Sequence, residues 1–214
     1  MLGKIRSNTK SALIKIAKVL SILPLSANQF TFTAVILSGV AAYFLANEKY
    51  IFGVLFVVLA SLIDLLDGSF AYVKNQKSPF GNYFDAIIDK VVEVIIYFGL
   101  AFNYPILAFI CLATTMLVSY AKPRVALVIE TDNHDWPAIG ERGDRLCLLV
   151  LGLIIAEFVH IDCIYTYNFD IVQISLCIIA VVTFIGFIQR IFYAKKLIKK
   201  AQEEGKLLSY LKLK

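Results

Sequence analysis

The chain is short of charge and of the residues that punctuate soluble domains. Only 17% of its 214 residues are Asp, Glu, Lys or Arg, against about 25% in a typical soluble domain. Proline occurs five times, histidine and methionine twice each and tryptophan once. Cys111, Cys147, Cys163 and Cys177 show no C-x-x-C spacing, which excludes a disulfide scaffold and a cysteine-based zinc site. Three of them lie in apolar runs, where cysteine behaves as a small hydrophobe. There is no internal repeat and no low-complexity stretch. What is abundant is apolar character, with 59% hydrophobic residues and a mean hydropathy of +0.76. A large soluble domain and a disordered chain are both excluded, and an all-α integral membrane protein is expected.

At roughly 20 residues per span, apolar runs predict six transmembrane helices, at 28–46, 50–71, 82–103, 105–125, 144–160 and 169–194. They form one membrane domain that takes up nearly the whole of residues 1–214. Residues 1–23 differ, because Lys4, Arg6, Lys10, Lys15 and Lys18 alternate with Leu13, Ile14, Ile16, Val19 and Leu20. Their longest apolar run is too short for a signal-peptide core and no small-residue cleavage site follows. A basic amphipathic helix at the membrane surface is expected there. Residues 195–214 are a basic tail, and the Lys-rich stretch after Arg190 reads as a helix end that snorkels and meets anionic lipid.

Basic residues orient the bundle. Of the 21, 19 fall in the N-terminal helix, the 72–81 loop, the 122–145 segment and the stretch from Arg190 onward, while Lys49 lies on the opposite side and Lys90 within a span. Positive charge accumulates on the cytoplasmic side, so both termini and those two loops are expected to be cytoplasmic.

The acidic residues fall where an apolar helix should have none. Asp64 and Asp67 end the second span three residues apart, and Asp85 and Asp89 open the third span four apart. Both spacings put the pair on one helix face. A short loop joins these spans, so they run antiparallel and their cytoplasmic ends converge. An Asp near a helix end is often a cap or a topology marker, but four converging carboxylates repel unless a cation neutralises them. A hard divalent ion, Mg²⁺ or Mn²⁺, suits oxygen ligands with no His or Cys nearby. Gly68 and Gly81 lie beside the carboxylates, where backbone must approach a ligand closely. Glu93 continues the Asp85–Asp89 face one turn deeper, either supporting the acidic site or pairing with Lys90.

Together, Asp64-x-x-Asp67-Gly68-x-x-Ala71 and Gly81-x-x-x-Asp85-x-x-x-Asp89 resemble the signature of the CDP-alcohol phosphotransferase family at seven of eight fixed positions. The resemblance implies a phospholipid-synthesis enzyme. In such an enzyme an alcohol attacks the β-phosphate of a CDP-linked lipid, CDP-diacylglycerol or CDP-archaeol, and CMP is released. It also implies two divalent cations held by Asp64, Asp67 and Asp85, with Asp89 as general base and a further metal contact. Gly68, Ala71 and Gly81 would make room for the cytidine, and Asn28 and Thr31 resemble the family's Asn-x-x-Thr near the nucleotide. A homodimer is implied, and no nucleic acid is expected as a partner.

One position departs, because Tyr72 stands where the family usually has Arg. A phenol cannot neutralise a phosphate, so either the metals with Lys74 or Lys77 balance the diphosphate, or the activity is altered. For the acceptor, Ser119-Tyr120-x-x-x-Arg124 and Gly140-Glu141-Arg142-x-x-Arg145 resemble segments of members that use inositol phosphate. Three arginines suit a phosphate dianion, although juxtamembrane arginines also follow from topology alone. Pro123 stands where those relatives carry Ala, which leaves glycerol phosphate or serine as alternative acceptors. His134 and Trp136 read as surface or interfacial residues. A cation transporter would also carry intramembrane carboxylates, yet the outer halves of the two spans are almost wholly apolar. A catalytically silent scaffold would leave the four Asp unexplained.

Overall fold

The computed structural model describes residues 2–129, 136, 139–159 and 170–208, with side chains from Ser11 onward. It contains α1 (Leu2–Leu20), α2 (Ala27–Ala46), α3 (Tyr50–Val73), α4 (Pro79–Ala101), α5 (Pro105–Val125), α6 (Arg142–Phe158) and α7 (Ile171–Glu203). Among the described residues the only β pairing is an isolated bridge between Ile129 and Leu207. By length and composition, α2, α3, α5 and α7 are each able to cross a membrane, so the chain is an all-α, multi-pass membrane protein. The other two expected spans are less clear-cut: α6 has 17 residues, and α4 carries Asp85, Asp89, Lys90 and Glu93.

The chain forms two compact units, Met1–Asn103 and Tyr104–Lys214. In the first, α2 packs along both α3 and α4, α1 lies against α3, and α3 and α4 meet only sparsely. Small residues let α2 serve as the common partner, since its buried positions include Ala27, Ala34, Ser38, Ala41 and Ala42. Without a hydrophobic driving force inside lipid, such close backbone packing is what holds helices together. It is tightest at Gly99, where a Cβ would stand 2.5 Å from the Ala42 Cα.

Helix ends in this unit follow from local chemistry. Ser26 and Gln29 form a reciprocal capping box at the start of α2. Ser78 caps α4 by accepting from the Gly81 N–H at 2.9 Å, with Pro79 as the first helical residue. The loop between α3 and α4 turns at Asn75, whose φ is +55°, a left-handed conformation that Asn tolerates. Gln76 Oε1 then accepts from the Ala27 N–H at 2.7 Å and ties that loop to the head of α2. Below it, Phe30 and Phe70 stack with centroids 4.2 Å apart, packed with Ala17 of α1, Ala27 and Leu66.

In the second unit α7 is the common partner of α5 and α6. Segment 139–141 lies directly on it: Gly140 has φ +72°, and a Cβ on Gly186 would collide with the Ile139 carbonyl. Arg190, buried on α7, donates through Nη1 to the Val118 carbonyl at 2.6 Å and through Nη2 to Glu141 Oε1 at 3.3 Å. Arg190 thereby joins α5, α7 and the start of α6.

The basic stretch after Arg190 is a helix end, as expected: α7 runs 33 residues to Glu203, or about 50 Å at 1.5 Å per residue, past the span boundary at 194. Residues 195–203 contain no helix breaker, Lys199–Glu203 and Lys200–Glu204 form i,i+4 pairs, and the turn comes only with Gly205 at φ +70°. Trp136 is not a surface residue: it is buried beside Tyr193 with Val125, Ile129 and Ala201, because the extended α7 supplies a wall for it. His134, Cys163 and the 160–169 connection lie outside the described residues.

Gly99→Val and Gly68→Ala should separate packing from function. The first forces α2 and α4 apart and should destabilise the protein by about 1–3 kcal/mol. The second meets no atom within 4 Å and should leave stability unchanged, as thermal unfolding in detergent will report.

Candidate active site

The end of α3 and the start of α4 bring three of the four expected carboxylates together. Asp64, Asp67 and Asp85 each offer a ligand oxygen, and these oxygens lie within 4.8 Å of one another. Asp67 is buried and accepts from the Thr31 hydroxyl at 3.2 Å, which fixes its carboxylate against α2. Asp85 Oδ1 is buried with no hydrogen-bond partner. A buried carboxylate oxygen left in this state beside two like charges is costly, and a bound cation is the natural remedy. The donor set is all oxygen, so the residues present fit a hard divalent ion. Asp89 stands four residues past Asp85 on α4, outside this tight group. It stays on the same face of α4 as Asp85, one helical turn, about 5.4 Å, further along the axis.

Beside the carboxylates lies a cavity of about 240 Å³. Of the residues expected near a nucleotide, Asn28, Thr31, Gly68, Ala71, Lys77 and Gly81 line it, together with Asp67 and Asp85. Gly68 has no neighbour within 4 Å of where a Cβ would stand, so any side chain there would take up cavity space. Gly81 is tighter, with the Ser78 Oγ at 3.2 Å from that point and the Asn28 Oδ1 at 3.6 Å.

Lys74 does not line the cavity. Its ammonium donates to the Leu23 carbonyl at 2.8 Å, just past the end of α1, and sits 5.4 Å from the Phe70 centroid. Its place in the loop aims it at α1 rather than at the cavity. Ala27, Gln76, Ser78 and Asn82 also line the cavity and were not singled out from sequence. The Ser-Pro cap signature marks Ser78 as a helix start, but nothing in the pattern marks Gln76, whose role comes from a bond 49 residues away.

Glu93 resolves in favour of pairing: Lys90 Nζ lies 2.8 Å from Glu93 Oε2. The expected acceptor arginines differ among themselves. Arg124 is exposed at the end of α5, Arg142 is half-buried at the first residue of α6, and Arg145 is buried with Nη1 donating to the Gly140 carbonyl at 2.6 Å. Arg145 therefore already serves the tight 139–141 turn.

Comparisons with known proteins give the family. Residues 24–186 match the family model for CDP-alcohol phosphatidyltransferases. The archaetidylinositol phosphate synthase of Pyrococcus horikoshii is 29% identical over 92% of this chain and 97% of its own length. A phosphatidylinositol phosphate synthase of Streptomyces avermitilis is 26% identical over 77% of this chain and 69% of its own. The Mycobacterium tuberculosis phosphatidylinositol phosphate synthase shares the fold with a TM-score of 0.70 at 24% identity, covering 85% of this chain. In its structure with CDP-DAG bound the match covers 92% of that chain, and in its complex with manganese and citrate 88%. With three of the signature carboxylates gathered at a cavity between α2, α3 and α4, and with residues 24–186, most of the chain, matching the family model, the chain belongs to the CDP-alcohol phosphatidyltransferase family.

Proposed function

We propose that this enzyme transfers a phosphatidyl-type group from CDP-diacylglycerol or CDP-archaeol to a hydroxyl of inositol phosphate, releasing CMP. The observation that carries this is the group of Asp64, Asp67 and Asp85 oxygens within 4.8 Å, with a buried unpartnered Asp85 oxygen, at the wall of the cavity. The inositol-phosphate acceptor is supported by the Pyrococcus and Streptomyces relatives, an archaetidylinositol phosphate synthase and a phosphatidylinositol phosphate synthase.

Asp64, Asp67 and Asp85 would hold divalent ions, Mg²⁺ or Mn²⁺ and two in number. When bound, such ions supply charge neutralisation at the diphosphate. Thr31 keeps Asp67 oriented for this through its hydroxyl. Asn28 and Asn82 offer polar contacts at the cavity, and Gly68, Ala71 and Gly81 keep space for the cytidine. Asp89 takes the proton of the acceptor hydroxyl as its oxygen bonds to the β-phosphorus. The bond from that phosphorus to the bridging oxygen breaks, and CMP leaves with the bridging electron pair. Arg124 and Arg142 contact the acceptor's phosphate, while Arg145 holds the Gly140 turn.

The topology that goes with this reading is six spans, α2 to α7, with α1 at the membrane surface. In α4 the Lys90–Glu93 pair reduces the cost of its charges, and an ion held by Asp85 would reduce it further. The distribution of basic residues supports a site and both termini on the cytoplasmic side. The functional protein is a homodimer, which light scattering in detergent tests.

Chelation should abolish CMP release, and Asp64→Ala, Asp67→Ala and Asp85→Ala should each weaken metal binding. Asp89→Asn should lower turnover while CMP still binds in the presence of Mn²⁺, as calorimetry will read. Full turnover in chelator, or with Asp89→Asn, refutes these assignments.

Inositol phosphate should be used far better than free inositol, glycerol phosphate or serine. Loss of a charge-assisted bond costs about 1.5–3 kcal/mol, so Arg124→Ala and Arg142→Ala should raise the acceptor KM roughly tenfold or more without moving the donor KM. Arg145→Ala should instead lower the unfolding temperature. A preference for serine, or indifference to both substitutions, removes inositol phosphate from this reading.

A further inference from the structure

Twelve residues line the cavity, and among them Lys77 is the sole base. A diphosphate entering a space walled by Asp67 and Asp85 needs a cation on its far side, in addition to any ion the carboxylates hold. Lys77 is at first sight poorly suited to this. It is exposed, on a loop, and carries a flexible four-carbon stem.

The structure shows what limits that freedom. Lys77 Nζ lies 5.1 Å from the centroid of the Tyr72 ring, within reach of a cation–π attraction. Tyr72 is carried by the last turn of α3, so the ring stands on a rigid element. The loop is folded to bring residue 77 back over it: the Asn75 N–H donates to the Tyr72 carbonyl at 3.1 Å and the Gln76 N–H to the Ala71 carbonyl at 2.9 Å. Gln76 is in turn tied to Ala27. Lys74, the other loop lysine, donates its ammonium to the Leu23 carbonyl. One lysine thus fastens the end of α1, while the other lines the cavity with its ammonium over an aromatic face.

We propose that Tyr72 is a positioning residue whose ring face holds the Lys77 ammonium where it binds the diphosphate of the CDP-linked lipid. This rests on the CDP-lipid reading above. The phenol hydroxyl has no part in it. The ring supplies no charge of its own, and its effect reaches the donor only through Lys77.

Steady-state kinetics with CDP-diacylglycerol and Mn²⁺ test this. Lys77→Ala should raise the donor KM by roughly tenfold, the loss expected of a charge-assisted phosphate contact. Tyr72→Leu should raise it by about two- to fivefold, the range of an exposed cation–π contact. Tyr72→Phe, which keeps the ring face, should retain the wild-type donor KM. Adding Tyr72→Leu to Lys77→Ala should change nothing further, since the pair acts as one unit. Acceptor KM and kcat should stay put throughout. Additive effects, a Tyr72→Phe that behaves like Tyr72→Leu, or an unmoved donor KM in Lys77→Ala would each overturn the proposal while leaving the transferase reading intact. A wild-type protein that releases no CMP from any CDP-lipid would instead refute that reading, and this inference with it.

Discussion

Three carboxylates held within 4.8 Å of one another at the ends of apolar helices are the constraint to which the first unit is organised. Like charges at that separation repel, and the repulsion grows as water is excluded. Every element around them works against that cost. Thr31 donates to Asp67 from α2. The Ser78 cap starts α4 where Asp85 can meet the end of α3. Gln76 fastens the connecting loop to α2. These contacts leave over a buried oxygen of Asp85, whose chemistry suits a hard cation.

Because α3 and α4 meet only sparsely, their carboxylates are brought into register through a third helix. The small residues of α2 allow α4 to approach at Gly99 and Ala42, and the Phe30–Phe70 stack holds α2 to α3 beneath the cavity. Cavity and acidic group therefore depend on the same packing. A side chain too large along α2 would disturb both at once, since backbone that approaches this closely has no slack to absorb it.

The second unit solves a different problem, with arginine rather than aspartate. Arg190 and Arg145 are both buried, and each spends hydrogen bonds on backbone carbonyls, Val118 and Gly140 respectively. A guanidinium offers several donors in a fixed plane, which suits it to joining segments that cannot pair with each other. Arg190 was grouped with the basic tail by its position in the chain, although its role is to hold α5 and the 139–141 segment onto α7. Charge counting assigns a side of the membrane to such a residue; it says nothing of what the residue touches.

The sequence alone was enough for the membrane class, for five of the helices to within a few residues, and for carboxylates that gather at the ends of two of them. Those features are written in local patterns: runs of apolar residues, carboxylates at i,i+3 and i,i+4, and glycines beside them. It also placed a helix at the N-terminus, seen as α1, which ends at Leu20. What it could not supply were contacts made across long stretches of chain. That Asp64 and Asp67 of α3 meet Asp85 of α4, that Lys74 turns to Leu23 while Lys77 lines the cavity, and that Trp136 is buried against an extended α7 were decided by tertiary structure. The periodicity of a helix fixes which face a residue occupies, but not which neighbour that face meets. The direction of a long, flexible lysine or the depth of a tryptophan depends on the neighbour, and only the packed chain provides it.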